Sequence, residues 1–178
     1  MQGYKSLPFF KQATIIYDFT QGFCDRYISK RSRTHDQMVQ AARSGKQNIA
    51  EGYILKSLKG RIKLLGVSRG SLEELLEDYK DFLRYKGLKA WGLNSLEAKT
   101  ARALVYKKPN EYNNYNVYND YKVYIKDGES AANIMVCLIN QTNMLLDNKI
   151  RWMEEKFIKE GGYTENLFKK RLNEKLGL

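Results

Sequence analysis

Apolar residues recur along this chain at steps of three and four, the spacing that turns one face of a helix toward a core. Phe9, Ala13, Ile16, Phe19, Phe23 and Tyr27 make the first stripe. With Ser6 as a candidate N-cap and Pro8 in the first turn, they predict a helix from about Ser6 to Ser29. Met38, Ala42, Ile49 and Tyr53 make the second. There Thr34 and Gln37 have the form of a capping box, in which each side chain satisfies the other residue's free backbone N–H. Ser57 is set to cap a third helix, which runs through Ile62, Leu65, Leu72, Leu75, Leu76, Tyr79, Phe82 and Leu83 to a stop at Gly87. A further long stripe begins near Ser130 and continues through Ile134, Cys137, Leu138, Met144, Leu145, Ile150, Met153 and Phe157 to Gly161-Gly162. Thr164 then opens a last short helix carrying Leu167, Phe168 and Leu172.

Between the third and fourth stripes the pattern breaks. A short helix is predicted from Ser95 to Lys107, ending ahead of Pro109, which has no N–H to extend it. Tyr112, Tyr115, Tyr118, Tyr121 and Tyr124 follow with asparagines between them, and this composition reads as loop. The expected fold is therefore all-α: an antiparallel up-down four-helix bundle over residues 1–160, with an insertion at 88–128 and a C-terminal helical suffix at 161–178.

Composition supports that reading and adds a direction. A chain of 178 residues with 43% hydrophobic content buries a core without staples, and only two prolines interrupt it. Cys24 and Cys137 both fall in apolar helical stripes, so they read as reduced core residues of a cytoplasmic protein rather than as a disulfide. No stretch approaches the roughly 18 consecutive apolar residues of a membrane span. Net charge is +11, and residues 1–70 hold thirteen Lys and Arg against four Asp and Glu, a net of +9. That asymmetry favours an anionic partner, with solubility alone as the competing explanation.

Ten residues carry the nucleic-acid hypothesis: Lys30, Arg31 and Arg33 ahead of the second helix; Arg43 and Lys46 on it; and Lys56, Lys59, Arg61, Lys63 and Arg69 around the start of the third. Antiparallel connectivity separates the two links, so repetition in an oligomer is what would merge these clusters into a broad positive surface. The tyrosine ladder offers base stacking as one role and pinning of its own loop as the other. Gly66, Ser68, Gly70 and Ser71 crowd into two turns of helix, where each Gly costs about 1 kcal/mol against Ala, so close helix approach within the chain or between subunits is expected there. Asn48 and Glu51 are expected as buried polar cross-links, and the Glu73, Glu74, Glu77, Asp78, Asp81 run as a solvated face. No nucleophile elbow, phosphate-cradling loop or paired metal-spaced cysteines occurs, and His35 is the single histidine. A non-enzymatic protein without metal or cofactor is the expectation.

Two stretches carry a family resemblance: Asn48-Ile49-Ala50-Glu51-Gly52-Tyr53 and Leu65-Gly66-Val67-Ser68-Arg69-Gly70-Ser71-Leu72-Glu73-Glu74-Leu75. Together they resemble the signatures of the four-helix-bundle family of proteins encoded within intervening sequences of bacterial 23S ribosomal RNA genes. Met153-Glu154-Glu155-Lys156-Phe157 and Glu160-Gly161-Gly162-Tyr163-Thr164-Glu165 resemble the variant of that family bearing a C-terminal suffix. The resemblance implies a homopentameric ring and kinship with the Avd-like accessory proteins of diversity-generating retroelements. Those proteins bind nucleic acid together with a reverse transcriptase. It leaves two expectations for this chain, a nucleic-acid-binding oligomer or a scaffold that recruits a protein partner. The chain departs from the family pattern in helix two, where Val39-Gln40 stand in place of an Arg pair and Lys46 in place of a Pro.

Overall fold

The computed structural model describes residues 3–104 and 127–177, and among these there is helix and turn but no strand. A 3-10 turn at Tyr4–Ser6 leads into α1 (Pro8–Tyr27), followed by α2 (Arg33–Ile54), α3 (Leu58–Tyr85), α4 (Leu96–Leu104), α5 (Gly128–Glu160) and α6 (Tyr163–Leu176). The predicted extension of the short helix to Lys107 and the whole tyrosine ladder lie outside the described residues.

The helix starts differ from expectation in an instructive way. Ser57 caps α3 as predicted, its Oγ accepting from the Gly60 N–H at 3.3 Å. The α1 cap is Leu7, with no side-chain bond, because Ser6 is taken up in the preceding turn and Pro8 needs no N–H acceptor. Ser32 rather than Thr34 caps α2, since its Oγ accepts the Thr34 N–H at 3.2 Å and Thr34 is already inside the helix. At α5 the start lies upstream of the expected Ser130: Asp127 is the cap and Ser130 closes a reciprocal box with it, Ser130 N–H donating to Asp127 Oδ1 at 2.8 Å and Asp127 N–H to Ser130 Oγ at 3.2 Å. Gly162, not Thr164, caps α6, with its N–H held by Glu165 at 2.9 Å.

The stop of α3 follows from Gly87. Its φ of +64° lets the Leu88 N–H reach back to the Leu83 carbonyl at 2.9 Å while the Gly87 N–H reaches Arg84 at 3.2 Å, the paired bonds of a Schellman turn.

The four long helices share one core. Helix α1 packs on α2 and α5, and α3 packs on α2 and α5, while α4 lies against α5. Side chains fix which residues meet. Phe9 of α1 lies 6.2 Å from the Tyr53 ring of α2, and the Cys24 thiol meets Met38 at 3.8 Å. Ser68 of α3 donates to the Gly45 carbonyl at 2.6 Å, and Ser44 and Ser71 share a hydrogen bond of 2.8 Å. Thr142 of α5 donates to Gln12 of α1 at 2.9 Å, and Arg69 of α3 reaches Asp147 of α5 at 3.1 Å. Fully buried Tyr79 packs edge-on against Phe23 at 4.8 Å and shares a hydrogen bond with Thr20 at 3.0 Å. Cys24 and Cys137 are buried free thiols, and burial pushes Cys24 up to about 12, far from reactive thiolate character.

Close approach occurs where expected at Ser68 and Ser71, through the Ser68 bond to the Gly45 carbonyl and the Ser44–Ser71 pair, and also at two glycines of α2. A Cβ on Gly45 would stand 2.7 Å from a Leu72 methyl, and one on Gly52 would stand 3.3 Å from Leu64 Cβ. Gly66 and Gly70 are exposed with open space where a Cβ would be, so among the described residues they serve no helix contact. Asn48 does tie a turn of α2, donating to Ser44 Oγ at 3.0 Å, whereas Glu51 is exposed and makes no buried cross-link.

Candidate nucleic-acid interface

The ten basic residues singled out above fall into three environments. Around the α1–α2 link, Lys30, Arg31 and Arg33 are all exposed, with Lys30 paired to Asp25 at 3.3 Å. His35 lies 3.5 Å from the same carboxylate, which Lys30 and His35 together hold below the usual range. On α2, Arg43 is exposed, and the Lys46 ammonium sits 4.1 Å over the Tyr17 ring. Around the α2–α3 turn, Lys56, Lys59 and Lys63 are exposed. Arg31, Arg33, Arg43, Lys56, Lys59 and Lys63 form no ion pair with any described residue.

Two arginines are engaged in local structure. Arg61 stacks 4.8 Å over Tyr53 and donates from Nη2 to the Leu55 carbonyl at 3.0 Å and from Nε to the Gly52 carbonyl at 3.4 Å. It thereby covers the carbonyl end of α2, where a cation also opposes the helix dipole. Arg69 is held between Asp147 at 3.1 Å and Glu73 at 2.6 Å, and Asn143 donates to the same Glu73 oxygen at 3.1 Å. Burial opposes the Arg69 charge, but these hydrogen bonds outweigh it and hold its pKa above the ordinary value. With two carboxylates on it, Arg69 has little charge left to offer a phosphate.

The structure adds residues that charge counting over the first seventy positions missed. Lys149 and Lys156 of α5 flank the half-exposed Trp152, their ammonium groups 3.8 and 5.4 Å from its ring centre. Burial, together with the positive charges of Arg61 and Lys156, pulls the Lys149 ammonium below the usual lysine range. Lys149 makes no ion pair with a described residue, while Lys156 lies 3.6 Å from Glu160. Arg61 thus joins the start of α3 electrostatically to α5, and the exposed Lys56 of the preceding turn and Lys59 and Lys63 of α3 are its neighbours in sequence. In the sequence the visible signal was the run Lys149, Trp152, Lys156, steps of three and four that set all three on one side of a helix.

Elsewhere, Tyr27, Met38, Asp78, Phe82 and Tyr85 line a cleft of about 450 Å³. Burial, and then the neighbouring Glu74 and Asp81, raise Asp78 to about 6, so not all of the acidic run is a freely solvated face. Among the described residues no helix is long and apolar enough to cross a membrane. Compared with known proteins, the chain matches no protein-family model, no curated protein and no solved structure.

Proposed function

We propose that this chain is a non-enzymatic, cytoplasmic, nucleic-acid-binding protein whose four long helices form an antiparallel up-down bundle that assembles into a homo-oligomer. The single observation behind the binding role is the geometry around Trp152: the Lys149 and Lys156 ammonium groups stand 3.8 and 5.4 Å from its half-exposed ring, and Lys149 has no carboxylate partner among the described residues. Burial first, and then the charges of Arg61 and Lys156, penalise the Lys149 ammonium, and an anionic ligand offsets that penalty. A phosphate backbone supplies repeated charge at the spacing such a surface needs.

The bundle reading is supported by the residue pairs across helices. Low numbers in α1 meet high numbers in α2 (Phe9 with Tyr53, Cys24 with Met38), and the same inversion holds for α2 and α3 (Gly52 with Arg61, Ser44 with Ser71) and for α3 and α5 (Arg69 with Asp147, Glu73 with Asn143). Oligomeric assembly, pentamer-like, draws on the motif resemblance. It gains support from Gly66 and Gly70, whose helix cost finds no compensating contact among the described residues.

A second reading has its own observation. Helix α6 buries none of its residues, and Tyr163, Leu167, Phe168, Leu172 and Leu176 are between 44% and 66% exposed, which favours a scaffold that recruits a protein partner.

The test is titration of the purified full chain with single- and double-stranded RNA and DNA at about 50 and about 200 mM salt, with its mass followed by light scattering. Salt-sensitive binding by an oligomer is expected; absence of binding at the lower salt would move the assignment to the scaffold.

A further inference from the structure

Trp152 is a large apolar group left half in solvent, one of only two tryptophans in the chain. Its environment is not that of an incompletely covered core residue. Ammonium groups stand on either side of it in sequence, at i−3 and i+4, and both lean over the indole. Beside it opens a shallow hollow of about 180 Å³ lined by Trp152, Glu155, Lys156, Lys159 and Glu160. An indole face, cations beside it and carboxylates in the same lining, Glu160 lying 3.6 Å from Lys156, are three different demands on a ligand. A plain polyanion meets only the second, and the carboxylates repel it.

A nucleotide with an unpaired base meets all three. Its ring stacks on the indole, its phosphates take the lysines, and its amino and imino N–H groups face the carboxylates, which accept such bonds. In a duplex the base faces are already stacked and the pairing edges are used, so neither the indole nor Glu155 and Glu160 would find a partner. A base stacked on tryptophan outweighs a solvated ammonium over the same ring, so the lysine is released to the phosphate rather than lost.

We propose that Trp152 is a base-stacking platform that makes this surface a site for single-stranded nucleic acid, with Lys149, Lys156 and Lys159 on the flanking phosphates and Glu155 and Glu160 facing the base edge. This rests on the nucleic-acid reading above and narrows it to single strands.

The experiment compares the wild-type chain, W152L, W152F and the double variant K149Q/K156Q. Each is titrated with a short fluorescein-labelled oligouridylate, the matching oligothymidylate and a blunt duplex of equal length. Wild type should prefer both single strands to the duplex. W152L should lose about tenfold in single-strand affinity with an unchanged salt slope, and W152F should recover most of it. Because Trp152 is half exposed, both variants are expected to melt as wild type does, checked by circular dichroism. Single-strand binding by W152L equal to wild type overturns the stacking site, as does a wild type that prefers the duplex. In the first case a loss confined to K149Q/K156Q leaves the nucleic-acid reading standing. No binding of any probe by wild type overturns both.

Discussion

Asp78 sits half-buried beside the aromatic wall of its cleft, and its pKa of about 6 lies above the ordinary carboxylate value of 3.8. The folded chain therefore holds that proton more tightly than the unfolded chain does. The stability this contributes is complete below the ordinary carboxylate range and is lost as pH rises through about 6. At neutral pH the ionised group is a liability, so D78N should stabilise the protein. The gain is expected to be about 1 kcal/mol, the full shift being reduced by the solvent that reaches the carboxyl. Thermal melts at pH 8 and pH 4 check this: the gain appears at the higher pH and vanishes at the lower. Glycines give a second residue-scale test. G45A forces its methyl to within 2.7 Å of Leu72 and should cost about 1–3 kcal/mol in urea unfolding. G66A and G70A enter open space and should each gain about 0.5–1 kcal/mol. A change in particle mass on G66A would show instead that this face meets a second subunit. Charge alone revealed the basic residues but not their engagement. Arg61 and Arg69 look like Arg43 in the sequence, and only packing shows that carbonyls hold one and carboxylates another.

At the scale of elements, helix extents were legible because each long helix carries a recurrent apolar stripe over a buried face, with small residues such as Gly45 and Ser68 filling its gaps. Their starts were less so. Thr34, Ser130 and Thr164 are good capping residues, yet a neighbour two or three positions upstream won each contest. Those outcomes depend on which side chain meets which N–H, and several residue types do that equally well. The α3 stop is a sharper case, since positive φ makes Gly87 the only residue type without strain there. G87A should cost about 1–2 kcal/mol, read from the urea midpoint. Helix α6 is the opposite case. It buries nothing, so ending the chain at Gly162 should leave the main unfolding transition within about 0.5 kcal/mol of the full chain. Lost helical signal with an unchanged midpoint is the expected pattern; a lowered midpoint with a smaller particle mass would mean that α6 docks on another copy.

For the whole molecule, the candidate site was legible in part. The basic character of the first two helices and the entry to the third was plain, whereas the contribution of α5 was hidden because its lysines sit among balancing acids in the sequence. Antiparallel pairing of the kind proposed is what carries Lys149 and Lys156 toward Arg61, eighty-eight and more positions away along the chain. Because burial, and then the neighbouring cations, penalise the Lys149 ammonium, removing it should relieve the fold while weakening the ligand. The most direct measurement is therefore a salt-dependent nucleic-acid titration of wild type and K149Q/K156Q alongside their melting curves. The account predicts that the variant is at least as stable as wild type, binds more weakly, and loses about two from its slope of log affinity against log salt. Unchanged affinity and slope in a stably folded variant would contradict it.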